Sequence, residues 1–199
     1  PVNKLDYLKE AFKLYTLAVE GGHIDSLNNL ASLYFVGECV EQNIEESIRL
    51  YTISSEKGNQ YSQNSLGAIY YMGMYVEQDY EKAYKWFNLA KEQGNDSAQF
   101  YIGLMNLNGF HVPVDEKEAI KLFILSAENN NVNSQSIIGE LYLNGNYVEG
   151  NYEIAFKWFK RAANQGNGYS QNNLGKMYYD GNHVAQNYTE AIKWYKRAV

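Results

Sequence analysis

With 17 Lys and Arg against 23 Asp and Glu in 199 residues, the chain carries a formal charge of −6 and a pI near 5.1, which argues against a nucleic-acid backbone as principal partner. No apolar run reaches the roughly 18 residues that a membrane span needs, and the first residues lack the basic-then-apolar layout of a signal peptide, so a soluble chain without membrane insertion is expected. Cys39 is the only cysteine, which excludes an internal disulfide.

Residues 1–23 are predicted to hold a leading helix, Leu5 to Val19, with Ala11, Leu14, Tyr15 and Ala18 on one face. From residue 24 a two-helix pattern begins. Leu30, Ala31 and Tyr34 share a face of a first helix over roughly 24–36, Gly37 ends it, and Val40 follows in the loop. Asn43 stands where a second helix must start, and Ser47, Leu50, Tyr51 and Ser54 form its face over roughly 44–57 before Gly58 and Asn59. The next unit, 60–95, repeats these columns 36 residues on with Leu66, Gly67, Tyr70, Gly73, Val76, Asp79, Ala83, Trp86, Phe87, Ala90, Gly94 and Asn95. In 96–131 they are Ile102, Gly103, Asn106, Gly109, Val112, Asp115, Ala119, Leu122, Phe123, Ser126, Asn130 and Asn131. The unit 132–167 has Ile138, Gly139, Tyr142, Gly145, Val148, Asn151, Ala155, Trp158, Phe159, Ala162, Gly166 and Asn167, and 168–199 runs from Leu174 and Gly175 to Asn187, Trp194, Tyr195 and Ala198. Glu46, Glu118 and Glu190, three residues after a cap, complete the capping-box signature. Turns of one or two residues between units force antiparallel neighbours, so a single elongated repeat domain over 1–199 is expected.

A basic ladder, Lys13, Arg49, Lys85, Lys121, Lys157 and Lys193, is preceded at three or four residues by Glu10, Glu46, Glu81, Glu118, Glu153 and Glu190. That spacing makes intrahelical ion pairs worth about 0.2–0.5 kcal/mol each and neutralises the column, so it reads as a solvated face rather than a phosphate stripe.

These columns, best seen from Ser62 to Asn95 and echoed by Gln99, Gln135 and Gln171, resemble the Sel-one-like repeat (SLR) family, tetratricopeptide-like proteins with a slightly longer unit. The resemblance spans the whole chain. It implies an all-α fold, a right-handed α-solenoid of antiparallel helix pairs, acting as a protein–protein interaction scaffold or adaptor. Some relatives act in bacterial virulence and host interaction, others in assembling membrane-associated complexes. The family often has a second Gly two residues after the first loop Gly, where this chain has Cys39, Tyr75, His111, Tyr147 and His183, so a different loop geometry is expected.

No motif for chemistry stands out. His111 and His183 share a loop column two repeats apart, on the order of 20 Å at the usual helix spacing, too far to share a metal. No His-x3-His, Cys-x2-Cys or phosphate loop is present, so no enzyme activity, cofactor or metal is expected. Asn95 and Asn187 open formal N-glycosylation triplets, but both read as helix caps.

Binding is therefore expected on the first helices, which line the concave face of stacked repeats. Its candidates are Tyr61 and Tyr169 in one column, Asn28, Asn64, Phe100 and Asn172 in a second, Lys176 between columns, and the apolar column Phe35, Tyr71, Leu107, Leu143 and Tyr179. Rings beside amides suit an extended peptide. Lys176 is the only cation there, so a neutral or mildly basic protein segment is the expected ligand. The alternative is a non-catalytic regulatory or targeting segment of a larger multidomain enzyme or a secreted host-interaction factor. The leading helix lacks its own first helix and Val199 follows the last small-residue column without a Gly. A longer parent chain, or self-association through an uncapped terminal repeat, is expected on that ground.

Overall fold

Asparagine and aspartate start most of the helices, and their side chains do so by direct capping. Asn43 Oδ1 accepts from the Glu46 N–H at 3.0 Å, and Asp79, Asp115, Asn151 and Asn187 repeat the bond to the residue three further on. A computed structural model describes residues 3–199; the first two positions of the predicted leading segment lie outside the described residues. Among the described residues there are eleven α-helices and no strand. They are α1 (Lys4–Glu20), α2 (Ile24–Val36), α3 (Ile44–Glu56), α4 (Gln60–Met72), α5 (Tyr80–Glu92), α6 (Asp96–Asn108), α7 (Glu116–Glu128), α8 (Val132–Asn144), α9 (Tyr152–Asn164), α10 (Gly168–Asp180) and α11 (Tyr188–Arg197).

The capping box is only half formed. Glu46, Glu118 and Glu190 pair instead with Arg49, Lys121 and Lys193. The cap residue's own N–H has another acceptor, because Asn43, Asp115 and Asn187 donate to the carbonyls of Tyr34, Asn106 and Tyr178 at 2.8–3.0 Å. That bond ties each second helix to the helix before it. The Arg49 guanidinium bonded to Glu46 holds the glutamate below its ordinary range. Lys157–Glu153 also forms, whereas the Lys85 amine lies over the Trp86 ring, 5.6 Å from its centre.

Between repeats the second helices end in a Schellman turn. The N–H of Asn59, Asn95, Asn131 and Asn167 reaches back to the carbonyls of Ser54, Ala90, Ser126 and Ala162 at 3.0–3.1 Å. The left-handed residue this needs is Gly58, Gly94 or Gly166, with Asn130 at φ 70° in the remaining turn. The loop inside the repeat departs from expectation in an instructive way: His111, Tyr147 and His183 hold φ 65–68°. At these three positions a left-handed conformation is held without glycine, at a cost of about 1–2 kcal/mol per residue, whereas Cys39 and Tyr75 of the same column are not left-handed.

The described residues form two compact units, dividing between Ala98 and Gln99. In the first, consecutive helices α1 to α5 pack around Leu27, Leu30, Ala31, Leu50, Tyr51, Leu66 and Ile69. In the second, Phe123, Ala127 and Ile138 centre one cluster, and Phe159, Leu174, Met177 and Trp194 another. Rings of the second helices lie directly on glycines of the first: a Cβ added at Gly67 would stand 2.5 Å from Phe87, and one at Gly139 2.7 Å from Phe159. This close approach is why a small residue follows each Leu or Ile. Trp86 and Trp158 are half-buried, so the deepest rings are Phe87, Phe123 and Phe159.

Candidate functional site

The first helices carry the candidate binding columns, and in the second unit α8 and α10 touch each other as well as α9. The most open positions are Tyr61, Tyr169 and Tyr179, exposed by 62%, 49% and 53%. Asn172 and Lys176 are exposed beside the last two. Tyr179 lies 5.2 Å from Tyr188, ring to ring. Burial, and then the Glu140 carboxylate, push the Tyr169 phenol above its ordinary value.

Much of the remaining apolar column forms the rim of the core, not a row of free rings. Phe35 packs on the first unit's core and meets Tyr75 edge-on at 5.3 Å. Tyr71 leans on Tyr80 and Phe87 at 5.6 and 6.3 Å. Leu107 and Leu143 are half-buried against the two clusters of the second unit. Phe100 departs furthest from an exposed anchor. It is 9% exposed and sits 6.0 Å from Phe123, because its position in the amide column turns a ring, unlike an Asn, into the core. Asn28 is spent internally, accepting from Ser62 Oγ at 3.0 Å. Asn64 Oδ1 is buried without a hydrogen-bond partner.

Two shallow depressions break these surfaces. One of about 140 Å³ lies between α2 and α4, lined by Phe35, Ser65, Ala68 and Met72. The other, about 200 Å³, is bordered by Leu143, Asn173, Lys176 and Asp180, so the one cation of the columns shares the border with a carboxylate. A column that sequence reasoning passed over as loop fixes this rim: Gln42, Gln78 and Gln186 each donate through Nε2 to the carbonyls of Phe35, Tyr71 and Tyr179 at 2.8 Å. Their signal was the 36-residue register itself. Among the described residues no group of three or more His, Cys, Asp or Glu is placed to hold a metal, and no helix is long and apolar enough to cross a membrane.

The Sel1 repeat model matches residues 2–23, 24–59, 60–95, 96–131, 132–167 and 168–199. The chain belongs to the Sel1 repeat family. A Sel1 repeat protein from Oxalobacter formigenes is similar at 30% identity over 97% of this chain and 79% of its own, with a TM-score of 0.88. A protective antigen of uropathogenic Escherichia coli strains, displaying an SLR fold, is 32% identical over 97% of this chain and 41% of its own, with a TM-score of 0.79. A sel1 repeat protein from Klebsiella pneumoniae shares the fold at 18% identity and a TM-score of 0.65, covering 94% of this chain and 91% of its own. No curated protein matches the chain. Sel1 repeat proteins are generally protein-interaction scaffolds and typically non-catalytic, and this chain has their all-α repeat fold.

Proposed function

We propose that this Sel1 repeat chain is a scaffold that binds an extended segment of a partner protein through exposed rings of its first helices. The observation that carries the reading is the placement of Tyr61, Tyr169 and Tyr179, large rings left open on helices whose Leu, Ile and small-residue columns are packed. Tyrosine buries much area at little entropic cost, and its hydroxyl stays available to a peptide backbone. Asn172, exposed beside Tyr169, supplies an amide contact. Phe100 and Asn28 have no part in it, since one is core and the other is bonded to Ser62.

The test is a combined Tyr61→Ala, Tyr169→Ala and Tyr179→Ala variant, with Lys121→Ala on a second helix as control. Helical content is expected to stay near that of the parent. Affinity for a protein partner isolated from the native source is expected to fall by at least about 2 kcal/mol, as for aromatic anchors. Undiminished binding by the triple variant would refute the proposal.

A further inference from the structure

Positions 160 and 161 break the repeat. The four earlier second helices hold Thr16-Leu17, Thr52-Ile53, Asn88-Leu89 and Ile124-Leu125 there, so the helix pair needs no charge at either place. In α9 the residues are Lys160-Arg161, and in α11 Lys196-Arg197. From residue 151 onward the only acids are Glu153, Asp180 and Glu190. Glu153 and Glu190 are already paired, with Lys157 and Lys193. A chain of net charge −6 thus becomes locally cationic on these helices.

The cations are held by rings and neutral acceptors. The Arg161 guanidinium lies 4.6 Å from the centre of the Trp158 ring and donates to Asn130 Oδ1 at 3.1 Å, with the Ala127 carbonyl at 3.5 Å. Stacking of this kind orients the guanidinium without cancelling its charge. The Lys160 amine is 5.7 Å from the centre of the Phe156 ring, and the His183 imidazole meets the same ring at 5.5 Å. Phe156 and Trp158 are half-buried whereas Lys160, Arg161 and His183 are exposed. Together they border an open groove of about 670 Å³ with an aromatic floor and a cationic rim.

We propose that this groove docks an acidic segment of a partner protein, one that presents a large apolar side chain flanked by Asp or Glu. The apolar residue covers Phe156 and Trp158, and its flanking carboxylates take charge-assisted hydrogen bonds from Arg161 and Lys160. Charge complementarity selects this occupant over an apolar or basic one. A nucleic-acid backbone fits less well, because Lys157 beside the groove is neutralised by Glu153 at 2.7 Å and a phosphate track needs a run of unpaired cations. The groove lies on α9 and the loop before α11, apart from the first-helix tyrosines, so either site stands without the other.

The probe is a synthetic peptide with a central Phe flanked by glutamates, titrated against the 199-residue chain and followed by tryptophan fluorescence and by NMR shifts of the Trp indole N–H groups. Saturable binding is expected, weakened at least about tenfold by Lys160→Gln with Arg161→Gln and by raising the salt several-fold, as for desolvated charge pairs. Arg161→Lys keeps the charge and the fold but loses the stacked, forked donor, and is expected to fall between parent and double variant. Lys121→Gln and the triple tyrosine variant are expected to bind the probe normally. The proposal is overturned if the double variant binds as well as the parent while retaining its circular dichroism spectrum, if a Gln-for-Glu peptide binds equally, if the probe does not bind, or if a single-stranded oligonucleotide outcompetes the peptide at the same residues.

Discussion

Replacing Gly139 by Ala puts a methyl group where Phe159 already stands. The added Cβ would lie 2.7 Å from both Cδ1 and Cε1 of the ring and 3.0 Å from Cγ, whereas ordinary contact begins at 3.4 Å. Ring or helix must therefore yield by about 0.7 Å, and the ring has little room because Phe159 is fully buried. Overpacking of a tight core costs about 1–3 kcal/mol. Alanine recovers about 1 kcal/mol through its better helix propensity, leaving a net loss of up to about 2 kcal/mol. The assay is urea denaturation followed by circular dichroism. A second arm measures Gly139→Ala in a Phe159→Leu background, where the methyl has space and the same substitution is expected to be neutral or stabilising. The difference between backgrounds is the coupling energy of the contact. An equal effect in both would refute ring contact as the reason for the glycine, and so would a stabilised single variant.

Other substitutions probe the remaining devices. Gln63 and Gln135 accept from Gln93 and Gln165 at 2.8 Å, but position 129 in that column is Asn, and Gln99 Oε1 is buried without a partner; Asn129→Gln is expected to stabilise by about 0.5–1.5 kcal/mol in the same melt. Tyr147→Gly relieves the φ of 66° at an exposed loop site, and after the entropic cost of glycine it is expected to gain about 0.5–1 kcal/mol. Because Glu46 titrates below its ordinary 4.5 when folded, its contribution is present above that value and lost as pH falls through the folded one. Glu46→Gln is therefore expected to flatten the acid side of the stability–pH curve, by no more than about 0.5 kcal/mol for so exposed a pair.

Periodicity made the helices legible, since Leu30, Tyr34, Gly37 and Asn43 recur with helix spacing and helix punctuation at every 36 residues. What periodicity withholds is the partner of each group. Nothing in the spacing of Glu46 and Asn43 reveals that the Asn43 N–H is already taken by the Tyr34 carbonyl, which frees the glutamate for Arg49. Column averaging likewise hid exceptions. Phe100 stands among asparagines and serine yet turns inward, and the charge of Lys160-Arg161 is masked in the repeat pattern because the neighbouring column, ending in Lys157 and Lys193, is neutralised. The exposure of Tyr61, Tyr169 and Tyr179 depends on how neighbouring helices shade one another, which residue type alone does not encode.

The scaffold reading is tested most directly by a footprint of the bound state. Amide hydrogen exchange and hydroxyl-radical labelling, with and without the partner protein isolated from the native source, report which side chains and helices become protected. Protection of Tyr61, Tyr169 and Tyr179, with slowed exchange in α4 and α10, is the expected result. Protection confined to the second helices, with those three tyrosines labelled as readily as in the free chain, would contradict it.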